Sequence, residues 1–339
     1  MNAGPSGGAG ACPATRRSGP WSGITDDAVT VPFLEPPDVS ASDPGSPRGS
    51  LAYLVHPDVL FGVEGIQIIA AFVGLVIMLL WETAHPFVAW YRASGRDRGL
   101  HVVRNLAVGA FNAVVISVVF VAAWVAAAAW AEERGFGLLN ALGGPAGLPA
   151  WGHVLGAILL LDGWTYLWHR LNHEIPFFWR FHRVHHADAK MDVTTASRFH
   201  VGEIVFSSLL RIPLIALFGV HIWELLFYET MMFAVVQFHH ANIVLPPWLD
   251  RGLRLVVVTP GMHKVHHSRW QPETDSNYSA FLSIWDRMFG SFRTREDLAA
   301  IRLGLDEFDG DQDATLKGLM RMPLLENRRE RTSGPTNPV

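Results

Sequence analysis

The chain has 339 residues, half of them hydrophobic and only 17% charged, where a soluble domain carries about a quarter charged residues. Its net charge of −4 and the absence of a basic block exclude the electrostatic footprint of a nucleic-acid binder. One cysteine, Cys12, excludes both a disulfide framework and a cysteine-ligated metal site, so any bound metal must use nitrogen and oxygen ligands.

Residues 1–50 are rich in Gly, Pro, Ser and Asp without apolar periodicity, which predicts a disordered tail, and they lack the pattern of a signal peptide. The charge-free run Gly65 to Trp81 predicts a first spanning helix, and Asn105 to Ala131 a longer, tilted one. Between them Arg92, Arg96, Arg98 and Arg104 form a short basic loop, which the positive-inside rule places in the cytoplasm. A third span over about Trp151 to Trp168 then delivers His169 to the same side. Residues 204–238 form a second apolar block, broken by Arg211, Pro213 and the Gly219/His221 region. It reads as two helices that either span or re-enter, because Arg211, Glu224 and Glu229 are costly against lipid. Residues after Leu245 read as a soluble cap, ending in a polar tail over 293–339. The expected architecture is an all-α, multi-pass integral membrane protein of about four to five membrane helices, with a membrane-embedded domain over 51–292 and a cytoplasmic histidine-rich cap.

Sixteen histidines are present, and half of them fall in three clusters: His169/His173, His182/His185/His186 and His263/His266/His267. Positions i, i+3 and i+4 share a helix face, so each cluster can aim its imidazoles at a common point. Eight imidazoles exceed what one transition-metal ion accepts, which makes two ions the natural count, with iron, zinc and copper all chemically suited. His240 lies about three helical turns after Glu229, so the two face the same interior and His240 is a further candidate ligand. Asp162, Tyr166, His169 and His173 form one helical stripe, which offers Asp162 as a partner orienting a ligating imidazole. His200 is open between ligation and a structural hydrogen bond. His239 is expected to face away from His240, and the isolated His56, His85, His101, His153 and His221 are read as structural or interfacial.

These residues resemble the fatty acid hydroxylase and sterol desaturase superfamily of membrane di-iron proteins. The H-x3-H, H-x2-H-H and late H-x2-H-H boxes of that family match the three clusters in order. Asp162 and Tyr166, Asp188 with TTASRFH, His240-Ala-Asn242, and Asn277-Tyr278 followed by WDRMFGSF resemble its connecting motifs. The likeness runs from about Glu82 to Phe292 and departs from the family pattern at Val201 and Ser279. The block HHSRW to IWDRMFGSF is similar to the branch that cleaves alkylglycerol ethers. The resemblance implies two iron ions, O2, an external ferredoxin or b-type cytochrome as electron donor, and hydroxylation or desaturation of a lipid C–H bond. It makes the nine clustered histidines, His240 included, the expected ligands, with His200, Asp162, Tyr166, Asp188, Glu229, Asn242 and Asn277 as additional ligands or supporting groups. A zinc-dependent membrane hydrolase is the alternative from another class, but its H-E-x-x-H frame fails at His173-Glu174, where Pro176 follows.

Overall fold

The computed structural model describes residues 57–90, 94–143 and 147–326. The expected disordered tail, His56 and the last part of the expected polar tail lie outside them. Within them every regular element is helical, and the only β pairing is two isolated bridges.

Helix α1 covers Pro57–Ala84. Ser94 then caps α2, Gly95–Val115, its hydroxyl accepting from the Asp97 N–H at 3.2 Å. This helix runs on through a π turn at Ile116–Phe120 into α3, Val121–Glu133, and the short α4 follows at Leu138–Leu142. Helix α5 spans Ala150–Glu174. Pro176 then opens α6, Pro176–His186, at the position where a missing N–H costs nothing. A 3-10 turn at Val193–Ser197 leads to α7, Val201–Phe218, which closes on the left-handed Gly219 at φ 71°. Helix α8 covers Ile222–His240, and the cap adds α9 at Pro247–Leu253 and α10 at Pro260–His266.

Three of these stretches are long and apolar enough to cross a membrane: Gly65–Ala84, the continuous Gly95–Leu142 run, and α7. Their outward faces carry exposed apolar side chains, among them Ile68, Phe72, Leu80 and Val118, an arrangement that only lipid makes favourable. Helices α5 and α8, which the sequence also offers as spans, do not meet that measure. They carry Asp162, Glu224, Glu229 and Gln237 through their length, and all four face the interior of the bundle. The inner faces of α3, α5, α7 and α8 meet in a core of Trp124, Leu161, Ile215, Leu225 and Tyr228.

Much of the stretch expected as a polar C-terminal tail is folded. Leu319 and Met322 are buried against Val184 of α6, and the fully buried Arg183 guanidinium donates to the carbonyls of Met322 and Leu325 at 2.5 and 2.8 Å. This segment therefore backs the helix that carries the second histidine cluster.

Candidate metal centre

The end of α5, the length of α6, the last turn of α8 and all of α10 converge beneath the cap. Their imidazoles fall into two sets. His169, His173, His182, His186 and His266 form one, and His185, His240, His263 and His267 the other, with the ligand atoms of each set within 4.8 Å of one another. The late cluster is interleaved with the first two: the His266 ring lies 4.6 Å from both His169 and His186, and His267 lies 4.7 Å from His185, centroid to centroid.

Each helix explains its own contribution. Along α6 the H-x2-H-H spacing presents His182 and His186 to one set, while His185, a third of a turn away, reaches the other. On α10 the same spacing sends His266 to the first set and His263 and His267 to the second. Thr259 caps α10, its hydroxyl facing the Met262 N–H at 3.4 Å, and so sets the direction in which the cluster points.

Several of the imidazoles are oriented from behind. Nδ1 of His169 donates to the Tyr278 carbonyl at 2.7 Å, that of His266 to the Ser276 carbonyl at 2.7 Å, and that of His240 to the Val236 carbonyl at 2.8 Å. His182 directs Nδ1 to the Glu203 carboxylate at 2.9 Å, and His173 directs its own to Asp275 at 3.3 Å. A proton held on Nδ1 leaves Nε2 as a bare lone pair turned toward the set, the usual device for presenting an imidazole to a metal. Sequence reasoning missed Asp275 and also Glu203, the more deeply buried of the two. The signal for Glu203 is an acidic residue in the first turn of an otherwise apolar helix, two turns before Arg211.

The donor set fits a pair of transition-metal ions. Nε2 of His240 lies 3.0 Å from that of His185 and 3.0 Å from that of His263, and His267 Nε2 lies 3.2 Å from His263. One imidazole N–H cannot serve all of these contacts. Separations of roughly 3 Å are instead the ligand-to-ligand edges expected around an ion with bonds of about 2.1 Å. Nε2 of His186 and of His266 has no hydrogen-bond partner although buried, as for a ligand atom without its ion. Burial pulls the His185, His186, His263 and His267 imidazoles well below the ordinary range, and His266 down to about 3. Neutral nitrogen donors are therefore maintained throughout the neutral pH range.

The supporting residues named from the sequence bond to groups other than the imidazoles of the two sets. Asp162 does not reach an imidazole: its carboxylate accepts from Tyr228 Oη at 3.0 Å, Trp285 Nε1 at 2.7 Å and the Leu282 N–H at 3.0 Å, tying α5 to α8 and to the cap. Tyr166 places its hydroxyl 2.8 Å from Ser291 Oγ and stacks on Phe289. His200 accepts from the Gly202 N–H at 3.0 Å as the cap of α7 and belongs to neither imidazole set. Asp188 accepts from Thr195 Oγ1 at 2.7 Å and lies 3.4 Å from His101 and 3.7 Å from Arg198. Asn242 clamps the backbone of Val88, and Asn277, at φ 53°, bonds Met262 and Arg293 and so braces the late cluster. Glu229 pairs with Arg211. His239 does not turn away: its ring centroid is 3.9 Å from that of His263, and Nε2 donates to the Ala280 carbonyl at 3.2 Å. Glu174, the base that a hydrolase frame would need, is half exposed and accepts from Arg170 at 2.7 Å.

A cavity of about 400 Å³ opens onto the imidazoles. His169, His182, His185, His240 and His263 line one end of it, and its walls are mostly apolar, including Ile116 of the π turn, Trp124, Met232 and Phe233. A second cavity of about 390 Å³ shares Ile116, Trp124, Glu229, Met232 and Phe233 with it and continues between α1, α3 and α8.

These features define a helical, membrane-type protein with a buried polyhistidine centre at the end of an apolar cavity. Residues 154–291 match the family model described as fatty acid hydroxylase. It is 36% identical over 147 residues to the alkylglycerol monooxygenase of Danio rerio, covering 42% of this chain and 30% of that protein. To the ornithine lipid hydroxylase OlsE of Rhizobium tropici it is 31% identical over 153 residues, 45% of each. To human cholesterol 25-hydroxylase it is 27% identical over 146 residues, 42% of this chain and 52% of that protein. The alignments thus span about a third to a half of these relatives' length. No solved structure matches the chain.

Proposed function

We propose that this chain is an oxidoreductase that inserts oxygen at an unactivated C–H bond of a membrane lipid, with His169, His173, His182, His186 and His266 holding one iron ion and His185, His240, His263 and His267 a second. The observation that carries this reading is the position of both imidazole sets at one end of an apolar cavity. Iron bound there would supply activation of O2, using electrons from a ferredoxin or b-type cytochrome. The chain's own residues do the rest. Trp124, Met232, Phe233 and Ile116 offer an apolar chain or ring system a surface to lie along, and the volume suits a lipid-sized ligand. Eight of the nine imidazoles are all but inaccessible to solvent and His169 is partly buried, which limits the access of bulk water to the reacting carbon. Arg96, Arg98 and Arg104, in the first three turns of α2, support a cytoplasmic placement of the centre, where a soluble donor can reach it. Alkylglycerols, ornithine lipids and cholesterol, the compounds in the relatives' names, are the first to try.

Protein purified anaerobically should contain about two iron atoms per chain and consume O2 only with a reductant, and cells expressing it should accumulate one lipid class carrying an added oxygen atom. A zinc-loaded protein with no reductant-dependent O2 uptake refutes the reading.

A further inference from the structure

Two histidines expected to be isolated come together at the other end of the bundle. His153 lies in the first turn of α5, and His221 is the N-cap of α8, whose first turn carries Glu224. Their ligand atoms lie within 4.8 Å of one another. The spacings of 16 residues from His153 to His169 and 19 from His221 to His240 put this group roughly 24 to 28 Å along the helices from the polyhistidine centre, and none of the three residues lines the cavity. The two imidazole rings stack at 4.5 Å with 16° between their planes. Both turn Nδ1 to the one carboxylate: His153 Nδ1 is 2.8 Å from Glu224 Oε1, and His221 Nδ1 is 3.4 Å from Oε2.

Hydrogen bonding accounts for only part of this. Oε2 accepts from the His221 backbone N–H at 3.0 Å, and Oε1 takes the His153 proton. His221 Nδ1 also caps the first turn of α8 while lying 3.4 Å from Oε2, and His153 Nε2 is buried without a partner. An imidazole nitrogen and a carboxylate oxygen face each other stably with a proton or a cation between them, and one divalent ion supplies the positive charge for all three groups at once. Glu224 is 1% exposed at its side chain, which makes that charge more necessary, whereas the two imidazoles are 12% and 26% exposed and can be reached from solvent. Exposed Trp151 and Trp223 flank the group, as aromatic residues do where a membrane meets water.

We propose that His153, His221 and Glu224 form a separate binding site for a divalent transition-metal ion, held by two imidazole nitrogens and a carboxylate. Such a donor set suits zinc, copper, nickel or iron and not magnesium or calcium. The ion pins the first turn of α5 to the first turn of α8 on the membrane face opposite the catalytic histidines, and the remaining positions are open to water.

Full-length protein in detergent, its polyhistidine centre already filled, is titrated with Zn²⁺ by equilibrium dialysis. One additional ion per chain is expected for the wild type, and none for the double variant His153→Asn/His221→Asn, which should keep its original complement. An undiminished extra ion in the variant, or no extra ion in the wild type, overturns the proposal. Should the variant lose all its metal, zinc-edge anomalous scattering from wild-type crystals decides: a peak about 2 Å from the Glu224 carboxylate supports the site, and its absence with peaks at the polyhistidine centre refutes it.

Discussion

Glu203 is the single side chain on which the orientation of a candidate ligand most visibly depends. It accepts from Nδ1 of His182 inside the protein, where few other groups are available to replace it. Removing such a partner of a metal-bound imidazole typically lowers metal affinity by about 10- to 100-fold. Glu203→Ala is therefore expected to release bound metal to a competing chelator at concentrations lower by that factor, while Glu203→Gln, which retains an acceptor oxygen, loses much less. Equal retention in both variants would show that His182 needs no such support. The histidines themselves were legible because helical periodicity is written in residue spacing. Most of the groups that orient them were not. The carbonyls of Tyr278, Ser276 and Val236 are present at every residue of any chain, and only folding selects which three lie behind an imidazole. The pairing of His153 with Glu224 joins residues 71 positions apart, beyond what local pattern can show. The stripe Asp162, Tyr166, His169 and His173 was read correctly as one helix face. A face 16 Å long still passes several neighbours, and Asp162 met Tyr228 and Trp285 in place of a ligand.

At the level of elements, α7 and α8 help build the cavity and also carry an arginine–glutamate ion pair in its wall. Arg211 and Glu229 both line the wall, and the guanidinium lies 5.0 Å from the Trp124 ring. Arg211 sits eight residues beyond Glu203 and Glu229 eleven before His240, so the pair stands about 12 to 16 Å from the metal centre along the helices. A charge pair with each partner less than a fifth exposed is costly to break by halves, because the survivor is left uncompensated in an apolar setting. Arg211→Met is expected to destabilise the protein by about 3 kcal/mol, and Arg211→Met/Glu229→Met to recover most of that loss. Thermal melts in one detergent measure both, and a double variant no more stable than the single one would show that the pair is not a coupled unit. The sequence marked these charges as expensive for lipid and left open whether α7 and α8 span or re-enter. Pairing across two adjacent helices is how the bundle accommodates them.

For the molecule as a whole, a buried concentration of imidazoles makes stability depend on pH and on metal. Burial holds His185, His186, His263 and His267 well below the ordinary range and His266 near 3, while in the unfolded chain each titrates at about 6.5. Between those values the unfolded state binds protons that the folded state refuses, so stability falls as pH falls through about 6.5 and keeps falling toward about 3. Metal-free protein should therefore melt at progressively lower temperature from about pH 7 to pH 4. Metal raises stability through binding to the folded state, and acid should erode that gain as protons compete for the same nitrogens. A melting temperature independent of pH in the chelated protein would mean that the imidazoles are solvated and already protonatable in the fold.

Orientation is the last property set at this scale, because α5 carries the polyhistidine centre at one end and the His153 group at the other. Arg96, Arg98 and Arg104 lie at the start of α2, the same end at which Glu82 of α1 accepts from Arg98 at 3.1 Å and from the backbone N–H groups of Val193 and Asn242. Glu82 thus ties the basic segment directly to the histidine-bearing cap, so the centre takes the same side as those arginines, which the positive-inside rule predicts to be cytoplasmic. With Cys12 replaced by serine, a single cysteine at Asp311, beside the cap, should react with a membrane-impermeant maleimide only after the cytoplasmic face is opened. One at Glu133, at the far end of α3, should react in intact cells. The reverse pattern would place the oxygen chemistry on the outer face and remove the case for a soluble cytoplasmic electron donor.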